Sequence, residues 1–160
     1  MIDIRRAGVE DISELVELRV LLFYEMNVVP SRKNEQLLRE SLESFFRTNI
    51  PSGEFLSWVA VSGKLIIASS GLVFLQKPPS PQNLTGREAY VMNMYTRKEW
   101  RNQGLAMKLL EKIHDFLKKQ QVDLTSLHST EVARPVYEKM GYSAMNNEMI
   151  HVLRPPSTTE

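Results

Sequence analysis

The segment AYVMNMYTRKEWRNQGLAMKLLEKIHDFLKK, Ala89 to Lys119, carries the junction on which the fold turns. AYVMNMYT (Ala89–Thr96) reads as a strand. Further on, Leu105, Leu109, Leu110, Ile113, Phe116 and Leu117 recur at helical spacing and make one apolar face. Between the two, RNQGLA (Arg101–Ala106) sets a basic residue, a glycine and an alanine where an extended chain hands over to a helix. The first turn of a helix has backbone N–H groups without partners and a partial positive charge, and both attract phosphate. Phosphate reaches those amides only where side chains leave room, as Gly104 and Ala106 do. Arg101 can add a charged donor. The hexapeptide is thus a candidate cradle for a phosphate or pyrophosphate. By itself it also fits a plainer reading, in which Gly104 only lets helix and strand pack closely. It is not a Walker loop, and it lacks two of the three glycines of a dinucleotide fingerprint.

Charge supports an anion here. Arg97 to Lys119 hold seven basic and three acidic residues, a local +4 in a chain of net +1. The near-neutral total excludes a bulk electrostatic case for nucleic acid or membrane, so neither is expected as a partner. The chain has no cysteine, which rules out disulfides and a thiol nucleophile. Its 160 residues, 42% hydrophobic, suffice for one domain with its own core. No apolar run approaches the roughly 20 residues that span a bilayer. MIDIRRAGVED has no signal-peptide core, so a cytoplasmic location is the default expectation.

Outward from the junction, IDIRRA (Ile2–Ala7) reads as a strand, followed by a helix opened by a capping box at Asp11 and Glu14. A second helix is expected over Asn34–Thr48, with Leu38, Leu42, Phe45 and Phe46 on one face, and a turn at Pro51–Glu54. FLSWVAVS (Phe55–Ser62) and LIIASSGLVFL (Leu65–Leu75) form a hairpin about Gly63-Lys64. Lys77–Glu88 is a proline-rich loop. VDLTSLH (Val122–His128) is a strand, and EVARPVYEKM (Glu131–Met140) a helix closed by Gly141. GYSAM and EMIHVLR pair across Asn146-Asn147 as a last hairpin. The order β-αα-βββ-α-β-α-ββ predicts an α/β (α+β) domain with a central mixed, mostly antiparallel sheet and flanking helices. Its one parallel pair is strands 4 and 5, joined by the Leu105 helix. The domain should span residues 1–154, with 155–160 a disordered tail.

The chain resembles the GNAT superfamily of N-acetyltransferases. Arg101-Asn102-Gln103-Gly104-Leu105-Ala106 matches the family's [QR]-x-x-G-x-[GA]. ARPVYEKMGY (Ala133–Tyr142), about 30 residues on, is similar to its A-x-x-x-Y-[ED]-K-x-G-[FY] ending, and the element order fits nearly the whole chain. The resemblance implies acetyl-CoA as co-substrate. It implies that the amides of Arg101, Asn102, Gln103, Gly104, Leu105 and Ala106 take the pyrophosphate. It implies that Met94, Tyr95 and Thr96 hold the pantetheine and thioester through the backbone of the fourth strand, and that Tyr137 protonates the departing thiolate. Thr130 stands where the family often has an asparagine that binds pantetheine. A glutamate base found on the fourth strand of some members is absent here, and Tyr90 occupies the nearest position by spacing. That leaves the base to a water relay or to Glu25 of the first helices.

A phenol as acid and backbone amides as oxyanion donors agree with a chain that has no thiol for a covalent intermediate. The expected reaction is acetyl transfer to a primary amine of a small molecule or peptide, by direct attack in a ternary complex. The other reading is a non-catalytic acyl-CoA-binding regulatory module on the same fold. Glu25, Tyr90 and Asn93 are the candidate acceptor-binding residues. Tyr137 taken alone is also a plain core tyrosine. His114, His128 and His151 lie on separate elements without ligand spacing, so no metal is expected. Dimers are common in the family, which allows a homodimer.

Overall fold

The computed structural model describes residues 1–29, 31–145 and 148–153. Strand β1 (Ile2–Arg6) leads into helices α1 (Ile12–Glu25) and α2 (Arg32–Ser52). Strands β2 (Phe55–Leu56), β3 (Trp58–Ser62), β4 (Leu65–Gln76) and β5 (Arg87–Thr96) follow, then helix α3 (Leu105–Lys119), strand β6 (Leu124–Leu127) and helix α4 (Arg134–Lys139). The sheet order is β1-β3-β4-β5-β6, with β2 also paired to β4. Every pairing is antiparallel except β5 with β6, which runs parallel from Glu88↔Leu124 to Val91↔Leu127.

The sequence numbered the parallel pair as strands 4 and 5; it is β5 and β6, because FLSWVAVS is two strands. Ser57 interrupts it by donating its hydroxyl to the Ser70 carbonyl at 2.6 Å, while its own carbonyl accepts the Ala7 N–H at 2.9 Å.

One layer of helix covers each face of the sheet. Leu105, Leu109, Leu110, Ile113 and Leu117 of α3 pack with Trp58, Ala60, Leu72, Ala89 and Val91, and Tyr137 of α4 joins them. On the other face Ile12, Leu15, Val16, Leu18 and Val20 of α1 and Leu42 and Phe46 of α2 pack with Phe55, Val59, Ile66 and Tyr95. Helix α2 opens on Ser31, whose Oγ accepts the Asn34 N–H at 3.2 Å, and closes on Gly53 at φ +79°. It runs past the expected end at Thr48 and through Pro51, which lies in its last turn.

Two further expectations fail. Asp11 and Glu14 form no capping box. Asp11 instead accepts both guanidinium nitrogens of Arg5 (2.7 and 2.9 Å) and the Gly8 N–H (2.9 Å), closing a 3-10 turn at Val9–Asp11. The Arg5 hydrogen bond holds its carboxyl below the usual carboxylate range. Glu14 pairs with Arg97 at 2.9 Å. The closing hairpin also fails. Asn146-Asn147 lie outside the described residues, and neither 141–145 nor 148–153 is a strand. Met145, Met149, Ile150 and Leu153 are more than four-fifths exposed, at 83%, 96%, 82% and 82%. These side chains cover no apolar face, and an uncovered hairpin is marginal in water. The expected tail at 155–160 also lies outside the described residues.

Candidate active site

Strand β5 builds the centre of the site by breaking its own ladder. Ser69 pairs with Tyr95 and Gly71 with Met92, so Asn93 and Met94 together oppose Ser70. This is a β-bulge, with Asn93 at φ +54°. The inserted residue shifts the alternation by one. Ala89 and Val91 face α3 and Met92 faces α1; beyond the bulge Met94 faces α3 and Tyr95 faces α1. Gly71 is required opposite it, since a Cβ there would lie 2.6 Å from the Phe55 ring and 3.3 Å from the Asn93 Cβ. The β5–β6 ladder ends at Val91↔Leu127, while β5 continues to Thr96. Its last five residues therefore offer an open backbone edge on that side.

The chain leaves this edge through a 3-10 turn (Lys98–Trp100) into RNQGLA. Trp100 packs beneath it against the α3 core. Asn102 (φ +62°) and Gly104 (φ +73°) both adopt the left-handed conformation, which curls successive amides toward one point. The first helical bond runs from the Lys108 N–H to the Gly104 carbonyl at 3.1 Å, and no side chain caps the helix. The amides of Leu105, Ala106 and Met107 therefore have no helical partner. A Cβ on Gly104 would find nothing within 4 Å. Close packing is not why glycine is there: the positive φ and the open space above the amides are.

A family model described as an acetyltransferase (GNAT) domain matches residues 28–151. The chain belongs to the GNAT acetyltransferase family. It is 27% identical to a predicted acetyltransferase of Clostridium acetobutylicum solved with acetyl-CoA, over 96% of this chain and 97% of that one, with a TM-score of 0.86. An N-acetyltransferase of Ralstonia eutropha matches at 21% identity over 96% and 99% of the two chains, TM-score 0.86. Glucosamine-6-phosphate N-acetyltransferase of Arabidopsis thaliana matches at 16% over 96% and 99%, TM-score 0.69. These last two share the fold. No curated protein matches the sequence. Membership makes acetyl transfer from acetyl-CoA the general activity.

In this GNAT chain Arg101 does not reach over the amides. Its Nε donates to the Thr96 carbonyl at 3.0 Å, and one terminal nitrogen donates to both Glu25 oxygens at 2.7 and 2.9 Å. Tyr95, whose ring lies 5.5 Å from that guanidinium, donates its hydroxyl to Glu25 at 3.2 Å. Arg101, Glu25 and Tyr95 thus tie the end of α1 to the loop. Burial, then the Glu25 charge, push the Tyr95 phenol up.

Tyr137 lies buried in the α3 face, 5.9 Å from the Tyr142 ring centre. Burial pushes its phenol up to about 12, so it keeps its proton at neutral pH. Tyr142 in turn hydrogen-bonds His114 Nε2 at 2.9 Å. Thr130 is exposed, and its Oγ1 accepts the Ala133 N–H at 3.3 Å, starting α4.

On the α1 face, Tyr90 shares a hydrogen bond with His128 Nδ1, and His128 Nε2 meets Glu148. Burial, then the Glu148 charge, push the Tyr90 phenol up. Asn93 presents a buried Oδ1 without a hydrogen-bond partner among the described residues. The sequence reading missed Glu88 because it began the strand at Ala89. Glu88 is buried, two residues from Tyr90, paired with Lys77 at 2.6 Å and accepting the Ser126 hydroxyl. Burial raises its carboxyl, but Lys77 and Ser126 outweigh that and leave it below the usual range. Strand alternation was the available signal. Among the described residues no His, Asp or Glu cluster suits a metal, and no helix is long and apolar enough to cross a membrane.

Proposed function

We propose that this protein is an N-acetyltransferase that moves acetyl from acetyl-CoA to a primary amine of a small molecule or peptide, within one domain over residues 1–154 and in the cytoplasm. The observation that carries this reading is the open β5 edge running directly into the uncapped amides of α3. The pyrophosphate sits on the amides of residues 101–106, and the pantetheine runs along Met94, Tyr95 and Thr96. The thioester carbonyl then lies at the bulge, where a backbone N–H stabilises the oxyanion.

The neutral amine attacks the carbonyl carbon, forming C–N as the carbonyl electrons move to oxygen. Collapse restores C=O and breaks C–S, and the Tyr137 hydroxyl gives its proton to the leaving sulfur. Both Glu25 oxygens are held by Arg101, which leaves the amine proton to a water relay that restores Tyr137. Thr130, already engaged at the start of α4, contributes at most a secondary pantetheine contact. The products are the acetamide and CoA thiol, with no acyl-enzyme.

The test is CoA thiol release from acetyl-CoA across a broad amine panel, with both substrates varied. Release with intersecting double-reciprocal lines is the expected result. Parallel lines would refute direct attack. No release with any amine, from a protein that binds acetyl-CoA, would favour the non-catalytic acyl-CoA module.

A further inference from the structure

Helix α1 carries one residue that its packing does not explain. At about 100° per residue, Arg19 falls in the middle of the arc defined by the buried Ile12, Leu15, Val16, Leu18 and Val20. That arc faces the sheet and α2, so a guanidinium stands where an apolar side chain belongs. Its guanidinium carbon lies over the Phe23 ring, 4.6 Å from the ring centre. Arg5, Arg39, Arg47, Arg97, Arg101 and Arg134 all have carboxylate partners; Arg19 has no ion pair and no hydrogen bond among the described residues. A desolvated cation without a partner is costly to keep, and burial pulls its pKa down.

Its surroundings are the acceptor side of the site. Helix α1 packs on β5, and Tyr90 lies on the same strand face as Met92, toward that helix. Glu148 is taken by His128, which Tyr90 also contacts. Asn93 lies on this face too, since its Cβ and the Phe55 ring crowd the same point over Gly71. Its orphaned Oδ1 supplies an acceptor, the complement an amine N–H needs.

We infer that the acceptor is an amine bearing an oxyanion, a carboxylate or a phosphate, which pairs with Arg19 while its nitrogen reaches the bulge at Asn93. This rests on the acetyltransferase reading of the site and adds a substrate class to it. A planar guanidinium stacked on an aromatic ring is suited to two parallel hydrogen bonds with an oxyanion.

The experiment uses matched pairs: amino acids and acid-ended dipeptides against their amides, and phosphoethanolamine against ethanolamine. Each is measured twice, as CoA release from acetyl-CoA and as calorimetric binding to the CoA-saturated protein. The anionic member of at least one pair should lead by roughly tenfold or more, the scale of a charged hydrogen bond. Whichever arm leads decides between carboxylate and phosphate. Arg19→Met should erase that lead and leave Tm unchanged or raised, because it removes an unpaired charge from an apolar face. An anionic lead in binding without turnover would support the Arg19 site while refuting the acetyltransferase reading. Turnover with no lead in any pair would refute the Arg19 site alone, as would a lead that survives Arg19→Met. Binding of neither member of any pair overturns the inference, and so does a lowered Tm with the lead intact.

Discussion

The two faces of the sheet meet at the same bulge and are built differently. On the α3 face, recognition is made from backbone: left-handed Asn102 and Gly104, three helical amides without partners, and an open strand edge. On the α1 face it is made from side chains set into a hydrophobic layer: Tyr90 with His128, Asn93, Glu25 with Arg101. A ligand shared by every member of a family can be held by backbone, which any sequence supplies once the conformation is encoded. A ligand that differs between members needs side chains, which can be exchanged one at a time without disturbing the fold.

Tyr137→Phe tests the α3 face most severely. If that phenol is the acid, kcat falls by roughly 10²–10⁴-fold while acetyl-CoA affinity stays within about twofold. Steady-state kinetics and calorimetry together decide it, and equal losses in both would return Tyr137 to a core role. Its raised pKa has a second consequence. The folded chain holds this proton more tightly than the unfolded chain does. The contribution to stability is full below the ordinary phenol value near 10 and is lost as pH climbs toward about 12. Alkaline unfolding of the Phe variant should lack that component.

Gly104→Val comes next. A branched side chain at φ +73° is strained, and it fills the space above the amides. Acetyl-CoA affinity should drop by about a hundredfold or more, on the scale of a few kcal/mol, with the circular dichroism spectrum retained. Unchanged affinity would separate the loop from the cofactor.

Asp11→Asn lies away from both ligands and calibrates them. It removes a charged partner of Arg5, and a loss of about 1–3 kcal/mol in stability is expected, with acetyl-CoA binding intact. Asp11 is depressed in the folded state, so its stabilisation is present above the ordinary carboxylate range and is lost as pH falls through the folded value. Urea melts at neutral and acid pH check the sign. Glu25→Gln should matter least: its pair with Arg101 is part-exposed, worth about 0.2–1 kcal/mol, so affinity should change by only a few-fold. A large loss of turnover at constant acetyl-CoA affinity would make Glu25 the base after all.

What the sequence discloses follows the same division. The α3 face was readable because its devices are local: Gly104 before a run of periodic leucines announces a helix start, and Gly141 announces a helix end. The bulge was not readable, since nothing in VMNMY marks Asn93 as the extra residue until Ser69 and Gly71 are set beside it. Ser57 hid a strand break for the same reason. The Arg101–Glu25 pair joins residues 76 positions apart, which no spacing rule reaches. Asn146-Asn147 between GYSAM and EMIHVLR promised a hairpin, yet apolar residues become strand only where a face exists to cover, and Met149 and Ile150 find none.

The most direct test of the account is a calorimetric comparison of acetyl-CoA with S-acetylpantetheine, which has the reacting thioester but no pyrophosphate. Acetyl-CoA should bind in the micromolar range, and affinity should fall by about a hundredfold or more without the pyrophosphate. Equal affinity for the two, or no binding of acetyl-CoA by a folded sample, would contradict it.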